Sequence, residues 1–382
     1  MSAPKATLSD YQLSSRTYFI SGFDPRGAFH YKRLFQAELK LSDWRLGRRI
    51  SQELITRWPI KKIDVETVES VHELCFLHWD DIAKENWPKS PLVLLLQCLD
   101  FGWWYLLKGG LIHHAGLCPG VALCGAYPLL FLVFSLAISF GAFNLISFGL
   151  TFTLASAGVR IIFGGIVGLL VLWQSWRLAN KLGVIWLTRS ILFTHRLGQF
   201  RDNDLRERVK RLADQIIQLE NKYPSSELKL VGHSSGSFVL AMLAAELKRR
   251  SDTSAFLPRL QLLTLGQNLA NLAVYPGARL FRADLQELAT EPRLPWRDIT
   301  SFQDLLCFAG VNPYTSCGLA LPVGDPYPVM RLIDLAKVRG FKTRWQLLGH
   351  QFEMHFDYLR KSCLEVDLPG LFVEEPPMDK HG

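Results

Sequence analysis

The chain of 382 residues lacks the features that would place it among secreted or metal-binding proteins. Its seven cysteines are an odd number and none of them forms a C-x-x-C pair, which argues against a zinc site and against a disulfide framework. Residues 1–18 have no apolar core of the kind that a secretion signal contains. We therefore expect a reducing compartment, no metal and no cofactor.

Concentrated basic charge is also missing. The formal net charge is +8, from 43 Lys and Arg against 35 Asp and Glu, and the basic residues are scattered through the polar segments. Nucleic-acid-binding proteins usually gather such residues into a patch, so the sequence predicts no nucleic-acid partner. Moderate, dispersed positive charge fits attraction to the anionic surface of a lipid bilayer.

Charged residues are absent altogether from residues 119–159, a run of 41 positions, and after Arg160 the chain is again uncharged through residue 176. About 20 apolar residues cross a bilayer core, so the run is long enough for two transmembrane helices. The predicted helices cover about 121–140 and 149–173, and the turn between them covers 141–148. Arg160 then lies in the second helix; the alternative is a shorter segment over 161–176.

The flanks of this run carry the positive charge. Lys108 precedes it, Arg177 and Lys181 follow it, and the turn between the two helices is uncharged. The positive-inside rule therefore predicts a multi-pass protein of the inner (cytoplasmic) membrane with both polar parts on the cytoplasmic side. Residues 91–107 are apolar and aromatic but contain Asp100, which predicts an interfacial or re-entrant stretch.

Outside the apolar run, strand-like and helix-like segments alternate, which predicts an α/β fold with a mostly parallel sheet and helices on both faces. The pattern includes an early strand at 17–21, an amphipathic helix over 202–223 and strands at 228–231 and 260–265. The predicted α/β domain has an N-terminal part at 1–90 and a C-terminal part at 177–368. A membrane-associated insertion at 91–176 separates them, and a disordered tail follows at 369–382.

The pentad from Gly232 to Gly236 has the form G-x-S-x-G and lies between the strand at 228–231 and a helix-forming run. A serine on a sharp strand-to-helix turn brings neighbouring backbone very close, so the positions two before and two after it favour glycine. Ser234 is thus the predicted nucleophile, and His233 is expected to shape the pocket beside it.

Together with the early strand that ends in a loop at Gly22–Gly27, and with the segments Trp296–Asp304 and Met354–Leu359, this pentad resembles the α/β-hydrolase superfamily. More narrowly, it resembles lipase-like bacterial hydrolases that carry an integral membrane segment. The resemblance covers about residues 15–85 and 200–365. It implies hydrolysis of an ester, thioester or amide through an acyl-enzyme.

The resemblance also implies that an acid and then a histidine follow the serine in the chain. Residues 297–300 fit a short strand, which leaves Asp304 in the loop past its carboxyl end, where catalytic acids of parallel sheets lie. Asp298, inside that strand, is the alternative acid. His355 begins a predicted final helix and is the favoured base, while His350, directly after a glycine, is the alternative.

The resemblance further implies an oxyanion hole made of the backbone amides of Ser235 and of the early loop, most simply Phe23. Asp24 and Arg26 form either a local ion pair that holds this loop or an Asp-Pro turn with a solvated arginine. The expected protein is a membrane-anchored serine esterase or lipase whose partners are the bilayer and a lipid-derived acyl ester. A thioesterase, an amidase and a non-catalytic membrane scaffold are the alternatives, and the sequence gives no oligomeric state.

Overall fold

The structure, a computed structural model, describes residues 13–39, 44–62, 71–87, 90–153, 156–199, 203–321, 324 and 326–360. The chain divides into two compact units. The sheet unit comprises Met1–Trp87 and Arg196–Gly382, and the apolar unit comprises Pro88–His195. The predicted tail at 369–382 lies outside the described residues.

The sheet unit is built on nine strands that form one sheet. The strands are β1 (Leu13–Ile20), β2 (Trp44–Leu46), β3 (Ile50–Ser51), β4 (Ile55–Lys62), β5 (Val71–Leu77), β6 (Glu227–His233), β7 (Leu260–Leu265), β8 (Trp296–Thr300) and β9 (Val329–Leu332). Their order is β2-β4-β5-β1-β6-β7-β8-β9, with β3 beside β4. Five described pairings are parallel and three, all involving β4, are antiparallel. The predicted α/β fold with a mostly parallel sheet is confirmed.

The described α-helices fall into both units. In chain order they are α1 (Gly27–Leu39), α2 (Asp80–Glu85), α3 (Pro91–Gly102), α4 (Gly110–Leu117), α5 (Pro119–Gly149), α6 (Ala157–Lys181), α7 (Val184–Leu197), α8 (Asn203–Lys222), α9 (Gly236–Arg249), α10 (Leu269–Ala273), α11 (Arg279–Ala289), α12 (Leu335–Arg339), α13 (Arg344–Gly349) and α14 (Gln351–His355).

Burial explains the sequence patterns of the sheet unit. Central strand β6 is buried from Leu228 to His233, as a strand covered on both faces must be. Helix α8 confirms the predicted amphipathic helix. The five apolar residues predicted to share one face are all buried, namely Leu205, Val209, Leu212, Ile216 and Leu219.

The parallel register brings several strand ends to one edge of the sheet. Ile20 of β1 pairs with Gly232 of β6. Leu265 of β7 pairs with His233 of β6 on one side and with Ile299 of β8 on the other. Segments that follow these strands therefore emerge side by side, and this is the edge at which open parallel sheets hold their ligands.

A buried ion network lies within the sheet unit. Arg16 of β1 donates from Nε to Glu73 of β5 at 2.7 Å and also pairs with Glu220 of α8, which accepts from the Tyr18 hydroxyl at 3.0 Å. Glu73 also pairs with Arg57 of β4 at 2.7 Å. Each of the two buried carboxylates has a charged partner, the condition under which buried charges are tolerated.

In the apolar unit, α5 and α6 are long and apolar enough to cross a membrane. Most of their large side chains are exposed, for example Leu145 at 70% and Ile161 at 61%. Small residues mediate their contact: the Ser139 hydroxyl donates to the Gly168 carbonyl at 2.8 Å, and a Cβ on Gly164 would lie 2.9 Å from the Phe143 carbonyl oxygen.

The predicted bounds of these two helices, 121–140 and 149–173, need correction. Helix α5 continues to Gly149, through the predicted turn at 141–148, because that segment contains no proline and its Gly141 faces open space. Helix α6 begins at Ala157, which places Arg160 in its first turn rather than in the middle of the predicted second helix. A charge near a helix end is far less costly in a bilayer than one at its centre.

The apolar unit also extends beyond the predicted insertion of 91–176. Helix α6 continues to Lys181, and Val184, Ile185 and Leu192 of α7 pack in one core cluster with α3. Residues 91–107, predicted as interfacial or re-entrant, are helical throughout, as α3 followed by a π-helical segment at Trp103–Leu107.

Candidate active site

The pentad forms a tight turn between β6 and α9. Ser234 has φ +56°, the one described non-glycine residue with a positive φ, and it occupies the corner itself. A Cβ on Gly232 would lie 2.8 Å from the Gly236 carbonyl oxygen, and a Cβ on Gly236 would lie 2.5 Å from the carbonyl oxygens of Ile20 and Ser21. Both glycines are therefore required by close backbone contact, and the strained serine at the corner is typical of a functional position.

The structure brings Asp304 and His355 together. Asp304 lies four residues past the end of β8, His355 is the last residue of α14, and their Oδ2 and Nδ1 atoms are 2.7 Å apart. Both residues are buried, at 2% and 1% exposure. Burial opposes ionisation of Asp304, but the charge and hydrogen bond of His355 outweigh it and lower the pKa of the carboxyl.

His233 fixes the backbone of His355 from the turn itself. Its Nε2–H donates to the His355 carbonyl oxygen at 2.7 Å, and the two imidazole rings are 5.0 Å apart between centroids. Burial, followed by the proximity of His355, lowers the pKa of His233 to about 3, so the ring is neutral and can act as this donor. The residue expected only to shape the pocket thus holds the candidate base in place.

The second ring nitrogen of His355 is available for chemistry. Nε2 is buried and makes no hydrogen bond within the described residues. The Ser234 amide donates to the Leu265 carbonyl at 2.9 Å, and a Cβ on the next residue, Gly266, would lie 3.3 Å from His355 Cε1. Ser234 and the imidazole therefore flank the same short segment at the end of β7.

The two alternative residues lie elsewhere. Asp298 is inside β8, where it accepts a hydrogen bond from the Thr264 hydroxyl at 2.6 Å. Burial raises its pKa to about 7, partly offset by that hydrogen bond. His350 donates from Nδ1 to the Gln346 carbonyl at 2.8 Å and packs on Phe341. Neither contacts the Asp304–His355 pair through a described hydrogen bond.

The candidate oxyanion donors lie on both sides of the serine. Ser235 directly precedes α9, where the first amides of a helix have no intrahelical acceptor. On the other side, a Cβ on Gly22 would lie 3.0 Å from Ser234 Cβ, so the loop after β1 runs against the serine. Phe23, the next residue, is buried and stacks on Trp87 with centroids 5.7 Å apart.

The early loop is held by side chains on both of its ends. Trp79 donates from Nε1 to the Ser21 carbonyl at 2.9 Å, and Arg26 pairs with buried Asp24 at 2.6 Å. Of the two interpretations of Asp24 and Arg26, the structure therefore has the local ion pair. Its arginine also lies over the Phe356 ring, 5.3 Å from the centroid, next in sequence to His355.

Asn268 is a site residue that the sequence analysis missed. It lies three residues past β7, its backbone amide donates to Ser237 Oγ at 3.0 Å, and its side-chain Nδ2 lies 3.4 Å from Ser234 Oγ. In this structure the serine hydroxyl therefore faces the Asn268 amide rather than the imidazole. Its position at the carboxyl end of a central strand is the signal that would have found it.

Over the described ranges, no group of three or more His, Cys, Asp and Glu side chains is arranged to hold a metal ion. The site contains a serine on a sharp turn, amides at a helix start, and an imidazole with one nitrogen on a buried carboxylate. The other nitrogen has no hydrogen-bond partner in the described part of the chain. These parts can activate a hydroxyl and stabilise an oxyanion.

Comparisons of the chain with protein-family models, with curated proteins and with solved structures found no match.

Proposed function

We propose that the protein is a membrane-anchored serine hydrolase of the esterase or lipase type. The observation that carries this proposal is the buried 2.7 Å pair of Asp304 and His355 beside a serine held at φ +56°. His355 holds Asp304 through Nδ1, which leaves Nε2 without a hydrogen-bond partner among the described residues and free to accept a proton.

In the proposed reaction, Ser234 Oγ attacks the acyl carbonyl while His355 Nε2 accepts the hydroxyl proton. Asp304 holds the imidazole through Nδ1 and stabilises the imidazolium. The proton then passes to the leaving alcohol, and water repeats the sequence to release the acid. The amides of Ser235 and Phe23 stabilise the oxyanion in both steps.

The order of the parts supports an α/β-hydrolase-type fold. Serine, acid and histidine follow β6, β8 and β9 in that order, which is the chain order of the triad in that superfamily. The serine lies at the end of a central strand, and the early loop approaches it from the neighbouring strand β1.

We further propose that α5 and α6 form a transmembrane hairpin in the inner (cytoplasmic) membrane. Their length, their exposed apolar side chains and the basic residues on both flanks support a double crossing with the sheet unit on the cytoplasmic side. A membrane-anchored site favours an acyl ester drawn from lipid. A thioester or amide would react with the same residues.

Labelling with a fluorophosphonate tests the chemistry directly. The detergent-solubilised full chain should be labelled, and the Ser234→Ala variant should not. Ser235→Ala is the matched control, because the proposal uses only its backbone amide; it should still be labelled. A folded wild-type protein that reacts in no detergent would contradict the proposal and favour a scaffold that binds lipid or a partner without catalysis.

A further inference from the structure

Three exposed apolar side chains lie in the C-terminal part of the sheet unit. Trp345 of α13 is 82% exposed, more than any other large hydrophobic residue described, those of α5 and α6 included. Leu348, one turn further along the helix, is 52% exposed, and Phe302, in the loop after β8, is 66% exposed. Trp345 and Leu348 are three residues apart and so lie on one face of α13. Large apolar side chains exposed on one helix face mark a site of interaction.

The loop and the helix are joined by one side chain. Gln351 donates from Nε2 to the Gln303 carbonyl at 3.0 Å and to the Leu347 carbonyl at 2.9 Å. Its Oε1 accepts from the Leu305 amide at 2.8 Å. These bonds fix the segment around Phe302 against the last turn of α13. We call Phe302, Trp345 and Leu348 the apolar patch.

Helix α13 presents its part of the patch in a defined conformation. Thr343 and Gln346 form a complete capping box at its start, with the side chain of each bonded to the backbone of the other. A capping box stabilises the first turn of a helix, which is where Trp345 lies. The tryptophan therefore projects from a built helix rather than from an unstructured loop.

The charge around the patch is positive. Residues 334–353 contain four basic residues and two acidic ones, Asp334 and Glu353, for a net formal charge of +2. Arg339 is neutralised by its pairs with Asp357 and Glu353. Lys337 and Lys342, by contrast, are exposed, and they add positive charge to the segment that leads into α13.

We propose that the apolar patch and the lysines beside it dock into the headgroup region of an anionic bilayer. Tryptophan and leucine next to lysine are the residues that bind this region, with the apolar groups below the headgroups and the ammonium groups among the phosphates. The chain carries two helices of membrane-spanning length, so covalent connection keeps a bilayer surface at high effective concentration for this weak contact. The inference rests on the proposed transmembrane hairpin but not on the proposed chemistry, so loss of fluorophosphonate labelling would leave it standing.

The test compares two leucines of equal exposure. The Leu348→Cys variant and the Leu280→Cys variant, whose native leucine on α11 is 53% exposed, are each labelled with a nitrobenzoxadiazole fluorophore in the full chain. Each is reconstituted into phosphatidylcholine vesicles with and without phosphatidylglycerol. Signal from the unsubstituted chain is subtracted, because Cys118, Cys124 and Cys317 are partly exposed.

We expect the emission at position 348 to rise about threefold above that at position 280, and to shift to the blue, in anionic vesicles. Adding Lys337→Glu and Lys342→Glu should reduce that rise. Equal signals at 348 and 280 would overturn the proposal and leave the patch to a protein partner. A rise that ignores both the lipid charge and the two lysines would overturn the anionic specificity.

Discussion

Two carboxyl groups six residues apart, Asp298 and Asp304, are both buried, yet their pKa values move in opposite directions. Burial raises the pKa of Asp298 to about 7, because a hydroxyl is its one described hydrogen-bond donor and its Oδ2 has no described partner. Asp304 feels the same burial, but an imidazole at 2.7 Å lowers its pKa. The nature of the partner, rather than the depth of burial, decides whether a buried acid is ionised.

The largest expected effect comes from exchanging each acid for its amide. Asp304→Asn should lower the rate of ester hydrolysis by about three to four orders of magnitude, because an amide cannot hold the imidazole in the required tautomer or stabilise its charged form. Asp298→Asn should leave the rate near that of the wild type. Hydrolysis of a chromogenic acyl ester in detergent measures both. Equal losses in the two variants would mean that Asp304 has no special role.

The buried ion network around Arg16 allows the same comparison for a second acid, Glu220, whose charged partner can be removed by substitution. Arg16→Met should lower the free energy of unfolding by about 3–5 kcal/mol, because it leaves Glu220 buried without its charged partner. Arg211→Met is the matched control: Arg211 pairs with Glu53, and both side chains are more than half exposed. Such exposed pairs contribute at most about 1 kcal/mol. Chemical denaturation in detergent, followed by tryptophan fluorescence, compares them; similar losses would contradict the burial argument.

The smallest effect per step is a dependence of stability on pH, which accumulates over several pH units. The pKa of Asp298 is raised from 3.8 to about 7 by burial, so between these values the folded state binds more protons than the unfolded state. The contribution of Asp298 to the free energy of unfolding is therefore fully present below about pH 4. It falls by roughly 1.4 kcal/mol per pH unit as the pH rises towards 7. Asp304, with a lowered pKa, adds stability that is lost only as the pH falls below its unfolded value.

Thermal unfolding of the wild type and of Asp298→Asn between pH 4.5 and 7 isolates this contribution. The wild type should lose stability relative to the variant across the window, because the amide does not titrate. Parallel curves would show that Asp298 does not titrate there.

The sequence predicted those parts of the site that follow from local rules. A side chain at either glycine of the turn would lie under 3 Å from backbone atoms, so the pentad by itself predicts a tight turn. The structure has Asp298 inside β8 and Asp304 past its end, as the sequence pattern predicts, while the catalytic role of Asp304 stays a prediction.

Two kinds of feature could not be predicted from the sequence: contacts that depend on which strands are neighbours, and helix ends that no capping residue marks. Asn268 reaches Ser234 only because β7 lies beside β6, and the bond from His233 to the His355 carbonyl joins segments 122 residues apart. The ends of α5 were misplaced for a different reason. A uniformly apolar run has no caps or charges to mark where a helix stops, so length alone set the prediction.

The pairing of β1 with β6 has a consequence for synthesis of the chain. The strands are neighbours in the sheet, but β6 begins about 200 residues after β1 ends, with the whole apolar unit between them. At about 5–20 residues per second, roughly 10–40 s separate their emergence from the ribosome. During that interval β1 can pair with β5 but not with β6, so one edge of a central strand stays open. The apolar helices are therefore synthesised before the sheet can close, and the open edge of β1 is exposed to unwanted strand pairing during that interval.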